Sequence, residues 1–156
     1  MSAGLIDPVT AALQRYADRG VFRGFRAVPG SRGRVDYVFL WLLRRPMTAT
    51  FDPRRGVLVF PALFPEVTTP ALAAELKDLV TQRSTKDQPA HKRIDGRRAR
   101  LACALRKGTW SLTVTIRGAN HDYAVRGALN LINELFLALH TSYPEYLVEH
   151  FGLSTE

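Results

Sequence analysis

The sequence predicts an α+β fold, an antiparallel sheet of five to six strands packed against helices in the order α-ββββ-α-ββ-α. Three observations support this prediction. Residues 109–117 alternate between apolar and polar side chains, which is typical of a strand with one buried face. Apolar residues from Val125 to Leu139 recur at spacings of four and three, which is typical of a helix. Residues 52–56 read Asp-Pro-Arg-Arg-Gly between two β-rich stretches and predict a hairpin turn.

The N-terminal part of the chain predicts one helix followed by two strands. Asp7 before Pro8 has the pattern of an N-cap residue with proline at the first helical position, and Gly20 is a suitable stop. A β-rich stretch, 21–28, then leads through a turn to Val35–Leu43, the most apolar strand. Both faces of that strand are almost entirely apolar, so we expect it to be central and covered on both sides.

The rest of the chain predicts two hairpins separated by a helix, followed by two final helices. The predicted elements are strands at 47–51 and 57–60, a helix from Thr69-Pro70 to about Gln82, a second hairpin of 101–105 and 109–117, a helix from about residue 120 and a short helix that ends near Phe151. A long polar connection, 83–97, joins the middle helix to the second hairpin.

The length of 156 residues matches the usual size of one domain, and we assign residues 1–156 to a single α+β domain. The longest uninterrupted apolar run, Tyr37 to Leu43, is far too short to cross a bilayer, so we expect no membrane association. Met1 to Leu13 shows no secretory signal, and a single cysteine cannot form an internal disulfide. We therefore expect a cytoplasmic protein.

The net charge is +8, and the basic residues are unevenly distributed. Residues 1–60 and 61–107 carry net charges of +6 and +5, whereas residues 108–156 carry −3. Arginine outnumbers lysine 18 to 4, which is also the composition expected of a GC-rich genome. The positions of the arginines therefore matter more than their number. Convergence on one face would favour nucleic-acid binding, and dispersal over all faces would count against it.

Residues 19–34 mix arginine, glycine and phenylalanine and form the first candidate site. Guanidinium groups bind phosphates in a bidentate way and aromatic rings stack on bases, so this mixture suits nucleic acid. The alternative is an exposed hairpin whose phenylalanines face the core. The candidate residues for anion or partner binding in this segment are Arg23, Arg26, Arg32 and Arg34.

The polar connection before the second hairpin is the second candidate site. Long loops inside compact domains are often functional, and a group of cations there suits a phosphate or an acidic segment of a partner. The alternative is a solvated loop without a ligand. The candidate residues are His91, Lys92, Arg93, Arg97 and Arg98.

No motif in the sequence predicts catalysis, a metal or a cofactor. Glu145 and Glu149 lie four residues apart beside His150, a spacing that suits a metal, but a wet helix face is the simpler interpretation. Cys103 alternates with leucines and is expected to be a buried, unreactive thiol. His121 and Asp122 are interpreted as a helix start rather than an acid–base pair. We therefore expect no enzyme activity and no cofactor.

The order helix, meander, helix, hairpin, helix resembles that of the class I type III secretion chaperones. The resemblance covers nearly the whole chain and consists of element order alone. It implies a small cytoplasmic homodimer that binds unfolded protein segments.

Two functions follow as expectations. The first is a non-enzymatic binding protein, chaperone-like, whose partner is another protein or an acidic segment of one, with the positive surface increasing the association rate. The second is a nucleic-acid-binding module that uses the arginine-rich surface. A homodimer is expected because the apolar strand Val35–Leu43 needs a cover on its far face, from a helix or from a partner.

Overall fold

The structure, a computed structural model, describes residues 7–41, 46–85, 88–89 and 93–151, and it confirms the predicted α+β fold and element order. The strands are β1 (Arg23–Pro29), β2 (Val35–Leu40), β3 (Met47–Asp52), β4 (Val57–Phe64), β5 (Ala99–Arg106) and β6 (Thr109–Ile116). The helices are α1 (Pro8–Asp18), α2 (Pro70–Gln82), α3 (His121–Ser142) and α4 (Pro144–Phe151), and a single turn of 3-10 helix spans Ser31–Gly33.

The described strands form one antiparallel sheet in the order β1-β2-β3-β4-β6-β5. The pairing of β4 with β6 brings the two predicted hairpins together, because β6 lies beside β4 and leaves β5 outside. β1 and β5 are therefore the edge strands. None of the described helices is long and apolar enough to span a membrane.

α1, α2 and α3 pack against one face of the sheet, and α4 packs against α3. The Thr10 hydroxyl of α1 lies 2.6 Å from the Tyr37 hydroxyl of β2. The Phe136 ring of α3 lies 5.1 Å from the Phe64 ring of β4. The apolar stripe predicted for the last long helix is confirmed, since the buried residues of α3 are Ala124, Val125, Gly127, Ala128, Leu129, Leu131, Ile132, Leu135, Phe136 and Leu139. Each large apolar side chain buried in this way stabilises the fold by about 2 kcal/mol.

The opposite face of the sheet, which we call the open face, has no described helix on it. Its central positions are small or β-branched and half-buried: Val38, Thr50, Val57, Val59, Thr109, Ser111, Thr113 and Thr115. The far face of the apolar strand is predicted to be covered by a helix or by a partner; no described helix covers it, so cover by a partner remains a prediction. β2 lies second from the edge, and Val38 and Leu40 face outward in its described part.

The predicted helix starts are confirmed, and their caps differ. Asp7 Oδ1 accepts a hydrogen bond of 2.8 Å from the Thr10 N–H, which caps α1. Thr69 stands in the corresponding position before α2, but its side chain makes no capping hydrogen bond. The turn predicted at 52–56 is also present, with Gly56 in the left-handed region at a φ of 64°.

Two strand boundaries differ from the prediction by three residues or more. β2 ends at Leu40, and the predicted extension to Leu43 enters residues 42–45, which lie outside the described residues. β4 continues to Phe64, four residues beyond the predicted end. Its pairing with β6 shifts register between Phe60 and Phe64, at the point where Pro61 lacks the N–H that a regular ladder requires.

Candidate functional site

Four loops lie at one end of the sheet, and they carry most of the predicted arginines. The last strand pair of each ladder at this end is Pro29–Val35, Val35–Phe51, Asp52–Val57, Val57–Thr115 or Ala99–Ile116, and these pairs lie within a residue or two of one row across the sheet. The segments that extend beyond this row therefore share one end. We call these segments, 30–34, 52–56, 95–98 and 117–120, the arginine end.

Neighbouring loops of the arginine end are in contact. A Cβ atom at Gly33 would lie 3.4 Å from Pro53 Cγ, so the first loop packs on the second. The Ile116 N–H donates to the Gly56 carbonyl at 2.7 Å, and the Arg117 N–H donates to the Arg98 carbonyl at 3.1 Å. The four loops thus form one continuous surface.

Tyr123, in the first turn of α3, holds the segment before β5 in place. Its hydroxyl accepts a hydrogen bond of 2.9 Å from the Asp95 N–H and donates one of 3.3 Å to the Arg93 carbonyl. Its ring lies 3.7 Å from the guanidinium carbon of Arg98, whose Nε donates to Asn120 Oδ1 at 3.0 Å. The guanidinium of Arg98 is therefore fixed in orientation by a cation–π contact and a hydrogen bond.

Asp95 organises the turn that follows it. Its Oδ1 atom accepts hydrogen bonds from the Arg97 backbone N–H at 2.9 Å and from Arg97 Nε at 3.3 Å. These bonds, the backbone bond first, hold the pKa of Asp95 below its ordinary value. Arg117 Nε donates to the Gly96 carbonyl at 3.0 Å, which connects the turn to the loop after β6.

The same segment is anchored to the core through Ile94. The Ile94 N–H donates to the Arg83 carbonyl at 2.7 Å, and the side chain lies against Gly127, where an added Cβ would be 2.5 Å from Ile94 Cδ1. Arg83 is 3% exposed, and its guanidinium lies 2.6 Å from a Glu134 carboxylate oxygen. The connection after α2 is therefore held by the ion pair of the buried Arg83 with the half-buried Glu134 and by the contact of Ile94 with Gly127.

The arginine end is strongly positive. It contains seven arginines and two aspartates, so seven of the 18 arginines in the chain lie in four short loops. Asp52 lies 3.6 Å from the Arg34 guanidinium, and Asp95 pairs with Arg97. Each aspartate therefore partly neutralises one arginine. The exposed side chains of Arg32, Arg54 and Arg55 form no ion pair or hydrogen bond with any described residue.

The structure brings together part of each predicted cluster. Arg32 and Arg34 of the first cluster and Arg97 and Arg98 of the second lie at the arginine end, and Arg93 lies just behind it, donating to the Gln88 carbonyl at 3.0 Å. His91 and Lys92 lie outside the described residues. Arg23 and Arg26 belong instead to β1. Arg23 pairs with Leu40 at the opposite end of the β1–β2 ladder, and Arg26 is on the open face.

Three arginines that connect the clusters were missed by the sequence interpretation. Arg54 and Arg55 lie in the hairpin turn that was correctly predicted, and Arg117 follows β6 directly. Their proximity to Arg32 and Arg98 depends on strand order. The signal that could have found them is the rule that alternate hairpin turns of an antiparallel sheet lie at the same end.

A second candidate surface is the β5 edge. β5 pairs with β6 through eight residues without a register shift, and it contains neither proline nor glycine. Its outward-facing backbone groups bond to no other described element. Arg100 and Arg106 project to the open face, and Leu105, 44% exposed, lies on the helix face. An exposed, regular edge strand is a template for pairing with another extended chain.

The other end of the sheet carries the predicted carboxylates. Glu66 and Glu149 lie near His150, at 3.8 and 3.9 Å from its ring nitrogens, and Glu145 lines the same open cavity of about 590 Å³. We call residues 65–69 and 142–150 the glutamate end. Glu66 was not predicted, because it reaches the cavity from the loop after β4. No group of three metal-ligating side chains occurs within the described part of the chain.

Cys103, His121 and Asp122 each pack or pair with neighbouring elements of the fold. Cys103 was expected to be buried and is only half-buried, because its strand lies at the edge; burial still raises the pKa of its thiol. His121 packs edge-on against Phe51, with ring centroids 6.0 Å apart, and Asp122 pairs with Arg15 of α1. His121 and Asp122 thus hold the start of α3, as expected.

No protein-family model matches the chain, and no curated protein and no solved structure matches it either. The function is therefore inferred from the geometry of the arginine end, the open face and the β5 edge.

Proposed function

We propose that this protein is a non-enzymatic, chaperone-like binding protein that takes up an extended segment of another protein along β5. The observation that supports this proposal best is the regular, unpaired β5 edge. A segment added there gains main-chain hydrogen bonds along the strand, and its alternate side chains contact the two faces of the sheet. Binding of this kind needs no catalytic group.

The two edges of the sheet differ in how well they suit such a segment. β1 contains Gly24 at a φ of 64°, a register shift between Arg23 and Arg26, and Pro29 at its end. Bulges, glycines and prolines of this kind discourage pairing with another chain. β5 has none of these features, which makes it the better docking strand.

The side chains of β5 define the chemistry of the partner. Arg100 and Arg106 lie on the open face, with Ala102 and Ala104 between them, so acidic residues six positions apart would meet them across the new strand pair. On the helix face, Leu101, Cys103 and Leu105 favour apolar side chains. The segment that fits is extended and alternates between acidic or small residues and apolar residues.

A second copy of β5 fits the edge less well. Antiparallel pairing centred on Cys103 would place Arg100 of each copy opposite Arg106 of the other, and like charges directly opposite each other are destabilising. For the predicted homodimer the open face is the better surface, since its residues on β4 and β6 (Val57, Val59, Thr109, Ser111, Thr113 and Thr115) are uncharged.

Disulfide trapping at Cys103, the single cysteine of the chain, tests the strand pairing. The probe is a nine-residue alternating peptide with two glutamates positioned opposite Arg100 and Arg106 and an activated cysteine opposite Cys103. We expect the in-register peptide to cross-link at least tenfold faster than a peptide with its cysteine moved by one position, because that shift turns the side chain to the other face. Equal rates for the two peptides would refute strand addition.

Charge reversal tests which edge is used. The double variant Arg100→Glu, Arg106→Glu should lose at least tenfold in affinity for the same peptide, measured by fluorescence anisotropy. The matched control, Arg23→Glu with Arg26→Glu, makes the same change of charge on β1 and should change the affinity less than threefold. A larger loss in the control would place the partner on β1 and overturn the proposal.

A further inference from the structure

We propose that the arginine end is a second, separate binding surface, for the phosphate backbone of double-stranded nucleic acid. This inference goes beyond the proposed function and does not rest on it. The residues concerned are Arg32, Arg34, Arg54, Arg55, Arg97, Arg98 and Arg117, none of which lies on β5.

The loops of the arginine end form a linear array. They leave the sheet at successive positions across its six strands, from the β1–β2 turn to the segment before β5. Neighbouring strands lie about 4.8 Å apart, so the array is roughly 20 Å long. A duplex of that length contains about six base-pair steps and presents closely spaced phosphates along a rigid line.

Part of the array is held ready for binding. Arg98 is fixed by Tyr123 and Asn120, and Arg117 by the Gly96 carbonyl. A guanidinium has five N–H donors, so each of these side chains keeps donors for a phosphate after its contact within the protein. A side chain that is already ordered loses less conformational entropy on binding.

Other arginines of the array are free to contact phosphate directly. Arg32, Arg54 and Arg55 are exposed and form no ion pair with a described residue. Pairing a guanidinium with a phosphate in a bidentate way releases counterions from the nucleic acid. The free energy of this release supports binding that does not depend on base sequence.

The aromatic rings near the arginine end favour a duplex over a single strand. Tyr123 has one ring face covered by Arg98, and Phe51 is 2% exposed with its ring against His121. Proteins that bind single strands stack bases on open aromatic faces, and neither the buried Phe51 ring nor the face of Tyr123 under Arg98 offers one. The arginines therefore contact the phosphate backbone of the nucleic acid rather than its bases. The spacing of the phosphates then determines which nucleic acid binds.

The experiment measures fluorescence anisotropy with two labelled 20-base-pair DNA duplexes of unrelated sequence, at several salt concentrations. Contact with about five phosphates predicts a slope of log K against log salt near −4.5, the same for both sequences. The triple variant Arg32→Glu, Arg54→Glu, Arg55→Glu should weaken binding at least 50-fold and flatten the slope. Thermal unfolding checks that the variant still folds.

The matched control is Arg23→Glu, Arg26→Glu, Lys107→Glu, which changes the charge by the same amount on exposed residues of β1 and of the β5–β6 turn, outside the array. At physiological salt the Debye length is about 8 Å, so we expect less than a fivefold effect. Equal losses in the two triple variants would overturn the proposal, because net charge alone would then explain binding. Tighter binding to single strands, or equal binding to polyglutamate of similar length, would overturn it as well.

The outcomes separate this inference from the proposed function. Cross-linking at Cys103 uses β5, so it should be unchanged in the Arg32, Arg54, Arg55 variant. Failure of duplex binding with intact cross-linking would remove only the nucleic-acid surface. Failure of cross-linking with intact duplex binding would remove only the strand-binding proposal.

Discussion

The arginine end and the glutamate end lie at opposite ends of the same strands and carry opposite charge. The arginine end has seven arginines and two aspartates, whereas residues 65–69 and 142–150 carry three glutamates and neither arginine nor lysine. α3 runs from the first to the second, so its dipole places positive charge near the arginine end. The two named sets of loops therefore differ in charge, although Arg106 and Lys107 lie in the turn beside residues 65–69.

The two ends are also closed in different ways. At the glutamate end α4 contacts the loop after β4, where the Tyr146 hydroxyl donates to the Pro65 carbonyl and His150 lies near Glu66. At the arginine end Tyr123 of α3 holds the segment before β5. The two ends therefore differ in the helix that contacts their loops, which is α4 at the glutamate end and α3 at the arginine end.

The largest expected effect comes from the ion pair that holds the connection leading to the arginine end. Glu134→Ala removes the carboxylate that contacts the buried guanidinium of Arg83 and should lower the free energy of unfolding by about 3 kcal/mol. The control at the glutamate end, Glu145→Ala, changes an exposed carboxylate and should cost less than about 0.5 kcal/mol. Urea unfolding measures both. Equal losses of unfolding free energy in the two variants would show that the pair of Arg83 and Glu134 does not hold the connection after α2.

A smaller effect is expected from one glycine at each end. Gly56→Ala forces a side chain into a φ of 64° and places its Cβ 3.0 Å from the Ile116 carbonyl oxygen, so we expect a loss of about 2 kcal/mol. Gly108→Ala has a φ of 79°, but its Cβ meets only atoms at 3.8 Å or beyond, and about 1 kcal/mol is expected. Thermal or urea unfolding measures both losses. A larger loss for Gly108→Ala than for Gly56→Ala would contradict the packing described for the arginine end.

The sequence predicted the elements well because their signals are local. The cap at Asp7, the turn at residues 52–56 and the apolar stripe of α3 depend on neighbours within a few positions. Only part of the arginine end was predicted, since the proximity of Arg32, Arg54 and Arg117 depends on strand order, and strand order depends on long-range pairing. The open β5 edge was missed for the same reason: local alternation is the same in edge and central strands.

The smallest expected effect is the titration of Asp95, which concerns the arginine end alone. The Arg97 backbone N–H and guanidinium bond to the ionised carboxylate and hold its pKa below the ordinary value of 3.8. A lowered pKa in the folded state means that the ionised form stabilises the turn, fully above the unfolded pKa. This contribution is lost as the pH falls through the folded pKa. Carbon-detected NMR should therefore give a midpoint below 3.8 for Asp95.

The variant Arg97→Ala separates the two causes of that shift. It removes the guanidinium and keeps the backbone N–H, which is the larger cause, so the midpoint should rise only part of the way towards the ordinary value. A full return would show that charge, rather than the turn, holds Asp95 ionised. A midpoint at the ordinary value in the unchanged protein would contradict the turn geometry itself, and with it the fixed position of Arg97 in the array.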